Sequence, residues 1–178
     1  MLKVNKSLIL FKVMMYMMLF GAKAQTAQLD VDRLYAKYKG QTETVIFAGD
    51  REINAHVLIN YNSHNKPYRI IIYGETAADA AMESLIGDLC AAKEKAGYKR
   101  VPHTTVVNFD QKGAYENNIE VRAYEKGSQY ARYGIKEAEK RNQALQENTT
   151  ERYSSDFFYF EVGDMTRKKN RKPEKFDF

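Results

Sequence analysis

The 178-residue chain has one cysteine (Cys90), no tryptophan and three histidines, and each scarcity removes a class of chemistry. A single thiol excludes an internal disulfide framework and a cysteine-based zinc or iron–sulfur centre. His56, His64 and His103 fall in separate segments, and none has a second ligand at metal spacing, so neither a metal nor another cofactor is expected. Without tryptophan, the largest platform for stacking on sugars is missing. None of Ser63, Ser84, Ser128, Ser154 and Ser155 stands in a G-x-S-x-G elbow. Gly74-Glu75-Thr76 joins a strand to a helix but lacks the further glycines and the lysine of a phosphate loop. The mean hydropathy of −0.60 excludes a polytopic membrane protein, and a 44% hydrophobic content excludes a wholly disordered chain.

Positive charge is also scarce where it would matter for nucleic acid. The formal charge is +5, from 28 Lys+Arg and 23 Asp+Glu. Residues 1–24 contribute four lysines and no acid, and residues 167–178 contribute six bases against Glu174 and Asp177. Between Gln25 and Thr166 there remain 18 bases and 21 acids, a net of −3. A nucleic-acid-binding body carries its positive charge on the fold, where it neutralises phosphates. No nucleic-acid partner is expected.

The N-terminus has the layout of a secretory signal. Lys3 and Lys6 precede an apolar stretch that runs unbroken from Val13 to Phe20, and Ala22-Lys23-Ala24 supplies small residues at −3 and −1. Cleavage between Ala24 and Gln25 is expected, giving an exported protein that is periplasmic or secreted. The apolar run is shorter than the ~20 residues of a membrane span, so no transmembrane segment is expected after signal removal. No cysteine follows the junction, so a lipoprotein anchor is not expected either.

Periodicity gives the mature fold. Val31, Leu34, Tyr35 and Tyr38 recur at helical spacing between Asp30 and Gly40. Strands are predicted over 43–48, 53–61 and 69–73, with Ile53, Ala55, Val57 and Ile59 on one face. Thr76 and Asp79 resemble a capping box opening a long amphipathic helix over 76–97. Its apolar stripe is Ala78, Met82, Leu85, Leu89 and Ala96, and its C-terminal turn carries Lys93 and Lys95. Strands follow at 104–109, around Ile119, Val121 and Ala123, and at 129–133, with a turn at Lys126-Gly127. A weakly amphipathic helix is predicted over 135–147 and an aromatic strand over 152–162. The order implies an α+β fold, a mostly antiparallel sheet packed against the 76–97 helix plus short helices. One domain is expected over 25–165, after the signal peptide at 1–24, with a basic, disordered tail at 166–178.

Candidate site residues are few. Tyr124, Tyr130, Arg132 and Tyr133 around one hairpin are the candidates for a ligand- or glycan-binding surface. Cys90 lies beside the apolar stripe of its helix, where small cysteines are buried and inert. Asp50, Glu52, Glu75 and Asp156 are carboxylates that a hydrolase could pair in space. No catalytic residue is assigned.

Leu34-Tyr35-Ala36-Lys37-Tyr38, Lys95-Ala96-Gly97-Tyr98 and Phe160-Glu161-Val162-Gly163-Asp164 resemble a family of small, signal-bearing Bacteroidota envelope proteins of unknown function. The resemblance spans about residues 30–165 and departs at 135–147 and in the basic tail. It implies export and an α+β fold, and it carries no catalytic residues. The expected function is therefore a non-catalytic cell-envelope protein acting through protein or surface contacts, with an envelope protein as partner. The alternatives are a small-ligand or glycan-binding module using the Tyr-rich hairpin and an envelope hydrolase with dispersed carboxylates.

Overall fold

Hydrogen-bonded pairing is antiparallel throughout the computed structural model, which describes residues 31–111, 114–143 and 154–168. The signal segment, its Ala24–Gln25 junction, Asp30 and residues 169–178 lie outside the described residues. After helix α1 (Val31–Tyr38) come strands β1 (Glu43–Ala48), β2 (Arg51–Tyr61) and β3 (Pro67–Thr76), then helix α2 (Ala80–Lys95). Strands β4 (Lys99–Arg100), β5 (Thr105–Gln111), β6 (Ala114–Lys126) and β7 (Gln129–Lys136) follow. Helix α3 (Ala138–Gln143), strand β8 (Asp156–Asp164) and helix α4 (Met165–Lys168) complete the described chain. The sheet order is β1-β2-β3-β8-β7-β6-β4, with β5 paired to β6. The expected α+β class and mostly antiparallel sheet are what the chain forms.

Strand alternation divides the core in two. On one face Ile53, Ala55, Val57, Ile70, Ile72, Phe158, Phe160 and Val162 pack against Val31, Leu34 and Tyr38 of α1 and Met82, Ile86, Leu89 and Cys90 of α2. On the other, Ile71, Tyr73, Phe157 and Tyr159 meet Val107, Phe109, Ile119 and Val121. The second core exists because β6 coils. Its C-terminal part pairs with β7 from Arg122 to Lys126, while its N-terminal part leaves β7 and, paired with β5, folds back over the sheet. Gly134 permits this: a Cβ there would stand 2.4 Å from the Glu120 carbonyl oxygen, so any side chain would block the coil.

Several element boundaries differ from the sequence expectation. Helix α2 begins after Asp79, whose side chain accepts the Met82 N–H, and Thr76 is the last residue of β3, paired with Asp156. Sheet pairing thus prevails over the capping box at the start of the predicted 76–97 helix. The buried stripe is Met82, Ile86, Leu89, Cys90 and Lys93. Lys93 is fully enclosed, its ammonium 4.6 Å from the centre of the Tyr98 ring. Ile135 and Lys136, expected to open a helix, extend β7 opposite Phe158 and Phe157. The helix is confined to α3, where the Ala138 N–H donates to Asp156 Oδ1 at 2.6 Å; residues 144–147 lie outside the described residues. Asp156 also accepts the Ala78 N–H, so one carboxylate holds the approaches to two helices. At the C-terminus the fold continues past Met165: Arg167 forms paired bonds with Asp32 at 2.7 and 2.8 Å. No helix among the described residues is long and apolar enough to cross a membrane.

Candidate functional site

Alternation along β3, β7 and β8 brings Arg69, Tyr130, Arg132, Tyr159 and Glu161 onto one face of the sheet, the face of the second core. Glu161 has no solvent exposure, although it is an acid that directly follows the four aromatics Phe157–Phe160. A buried carboxylate has to be paired, and here four groups converge on it. Arg69 Nε is 2.6 Å from Oε1, and the Tyr130 hydroxyl donates to the same oxygen at 2.9 Å. Arg132 Nη1 is 3.3 Å from Oε2, which also accepts the Tyr159 hydroxyl at 2.9 Å. Tyr159 in turn accepts from Arg69 Nη2 at 2.8 Å. Both oxygens of Glu161 are therefore saturated.

Burial is the largest single influence on Arg69 and opposes its charge, but the Glu161 carboxylate together with the Tyr159 and Tyr130 hydroxyls outweighs it and raises the guanidinium pKa further. Burial and the neighbouring Glu161 charge both push the Tyr130 and Tyr159 hydroxyls upward, so they remain protonated donors. The arginines themselves are not sealed: their side chains are 27% and 31% exposed. They open into a cavity of about 250 Å³ whose walls also include Tyr68, Val106, Asn108, Met165 and Lys168. Its charged lining is two arginines and a lysine against one glutamate. Chemically, such a lining has the charge and the N–H donors that an anion would need.

The four hairpin candidates do not form one surface. Tyr130 and Arg132 face this cavity, the guanidinium 4.7 Å from the tyrosine ring centre. Tyr124 and Tyr133 point to the opposite face and are buried in the helical core. Tyr133 lies one residue out of phase with Tyr130 and Arg132, so strand alternation separates it from them. Cys90 is buried beside Tyr124. Glu75 and Asp156 come near each other through the β3–β8 ladder, but Glu75 is bound by Arg141 at 2.8 Å and Ser155 at 2.6 Å. Asp156 is occupied by its two backbone donors. The histidines stay apart: His56 stacks on Tyr73 with ring centres 5.3 Å apart, His64 is in an exposed loop, and His103 lines a second cavity.

That second cavity, about 450 Å³, lies under the coil of β6. Its charges are nearly balanced and partly paired, with Arg122 3.2 Å from Glu83 and Lys140 4.0 Å from Glu137. It offers no net field to select a ligand.

Sequence reasoning missed Arg69, Tyr159, Glu161 and Lys168 as site residues. The available signal was Phe157-x-Tyr159-x-Glu161, a period-two run that places an acid on the same face as two aromatics. Arg69 had no signal of its own, because its partner is 92 positions away in sequence. No family model, no curated protein and no solved structure matches the chain.

Proposed function

We propose that this is an exported protein of the bacterial cell envelope that binds its target without transforming it, and that the Arg69–Arg132–Glu161 cavity receives an anionic group of that target. Export is supported by the basic, apolar and Ala-x-Ala pattern of residues 1–24 and by the resemblance to signal-bearing Bacteroidota proteins. The binding reading rests on one observation: Glu161 neutralises one of two guanidiniums that both remain open to the cavity. An Arg fork offers five N–H donors, and Arg132 spends a single long bond on Glu161.

The same geometry argues against acid–base work at this site. A general base needs a free lone pair aimed at substrate, and each Glu161 oxygen already meets two partners. A carboxylate-pair hydrolase needs two acids across a cleft, and Glu161 is the single acid in this lining. A glycan surface built from Tyr124, Tyr130, Arg132 and Tyr133 is disfavoured by their division between two faces.

The test is thermal unfolding of the full chain titrated with inorganic phosphate, with ionic strength held constant by chloride. A saturable rise in Tm is expected, and Arg132→Gln should abolish the phosphate-dependent increment. An equal increment in that variant, or none beyond chloride in the parent, would overturn the reading.

A further inference from the structure

We infer that the target is a protein whose extended, acidic segment adds as a strand to the outer edge of β5 and seats a carboxylate between Arg69 and Arg132. The inference rests on the anion-receptor reading above and extends it to the class of partner. Strand β5 pairs with β6 along one edge from Thr105 to Phe109, and among the described residues nothing pairs with its other edge. Alternate residues of an edge strand direct their N–H and C=O groups outward, ready for another chain. Natural edges are usually blocked by lysine, proline or inward charge; Thr105-Val106-Val107-Asn108-Phe109 contains none of these, and the strand's one charged residue, Asp110, falls at the irregularity near its end. Val107 and Phe109 anchor the strand in the second core, while Val106 on the other side is 56% exposed.

The location of the anion receptor selects this edge and the chemistry of its occupant. Val106, Val107 and Asn108 are themselves one wall of the Arg69–Arg132 cavity. A strand added about 4.8 Å outboard of β5 would run past the cavity mouth, where alternate side chains turn inward. A carboxylate there meets two arginines and Lys168. Main-chain pairing then supplies affinity and the basic cavity supplies specificity. Among the described residues β1 also has an unpaired edge, with Val45 and Phe47 exposed on it, but no charged cavity adjoins it to define a partner.

The probe is a random octapeptide library with both termini blocked, so that Asp and Glu side chains are the only anions, screened against the full chain. Enriched peptides should hold an acid at one constant position among alternating β-formers. The best binder should weaken at least tenfold when that acid becomes its amide, when alternate amides are N-methylated, or when the protein carries Arg132→Gln. Failure to enrich above the Arg132→Gln protein, or indifference to N-methylation, would overturn strand addition. The phosphate titration separates the two levels. Phosphate binding without peptide binding removes the strand-addition inference alone, and loss of both removes the receptor as well. Binding of an acidic oligosaccharide with no peptide enrichment would likewise overturn the peptide assignment.

Discussion

The ring of Tyr130 crosses directly over Gly163, its partner in the β7–β8 ladder: a Cβ on Gly163 would stand 2.2 Å from the tyrosine Cζ. The glycine is what lets the ring cross β8 and deliver its hydroxyl to Glu161, two residues along the strand, at 2.9 Å. Gly163→Ala should therefore displace the ring and remove a buried hydrogen bond to a charged acceptor, costing about 2 kcal/mol or more. Tyr130→Phe, which keeps the ring in place, should cost less. Pairing Gly163→Ala with Tyr130→Ala should cost less than the sum of the two single changes. Urea denaturation measures all four; a neutral Gly163→Ala would show that the ring has another path to Glu161.

Glu161 also sets up a conflict between stability and binding. Glu161→Gln leaves two guanidiniums without their carboxylate and turns an amide N–H toward one of them. Removing one partner of a buried ion pair costs about 3–5 kcal/mol, and the partial exposure of Arg69 and Arg132 lowers that to about 2–3 kcal/mol. The cavity meanwhile becomes more positive, so phosphate should bind more tightly. Denaturation and phosphate titration of the same variant are expected to move in opposite directions. A fall in both would mean that the arginines need Glu161 to hold them in their binding geometry.

The fold was more legible than the site, and the difference is one of range. Alternation in 53–61, the helical spacing of Ala78, Met82, Leu85, Leu89 and Ala96, and the punctuation by Gly49, Gly97 and Gly127 are local signals, and they placed most elements. Misplaced boundaries were those decided by a distant strand. Thr76 belongs to β3 because Asp156 pairs with it, and Ile135 belongs to β7 because Phe158 does. The site depends on such pairings entirely. Tyr130 and Arg132 could be nominated from one hairpin, whereas Arg69 and Glu161 meet only after β3 and β8 align. The coil of β6, which carries its partner β5 to the cavity wall, depends on the close approach of Gly134 to Glu120, and no local pattern announces it.

Tyr133 supplies a prediction of opposite sign to most core substitutions. It is buried in the helical core near Cys90, Tyr98 and Tyr124, and its hydroxyl has no hydrogen-bond partner among the described residues. Burial pushes its pKa upward first, with smaller contributions from those neighbours. A buried hydroxyl left unbonded costs about 1–3 kcal/mol in desolvation, and Phe fills nearly the same space. Tyr133→Phe should be neutral or stabilise the fold by up to about 1 kcal/mol. Chemical denaturation decides it, and a loss above about 1 kcal/mol would reveal a partner for the hydroxyl.

Arg167 ties the end of the described chain to its beginning, and that tie should have a pH signature. The Arg167 hydrogen bonds hold the Asp32 carboxyl below the ordinary aspartate value of 3.8, with burial opposing the shift. For Asp164 burial likewise acts upward, but bonds from Thr166 and Ser128 and the Arg167 charge lower it overall. A carboxylate whose pKa is depressed on folding adds stability that is complete above its unfolded value and is lost as pH falls through the folded one. Because Asp32 is largely exposed, the Arg167 contribution should be about 0.5–1 kcal/mol at low salt. Arg167→Ala should therefore differ from the parent by that amount between about pH 5 and 7. The gap should close as the pH falls below 3.8, and raised salt should narrow it at neutral pH. Denaturation midpoints across that pH range provide the check. A gap that is constant, or that widens in acid, would assign the effect of Arg167 to packing or to its bond with the Pro67 carbonyl instead of to these carboxylates.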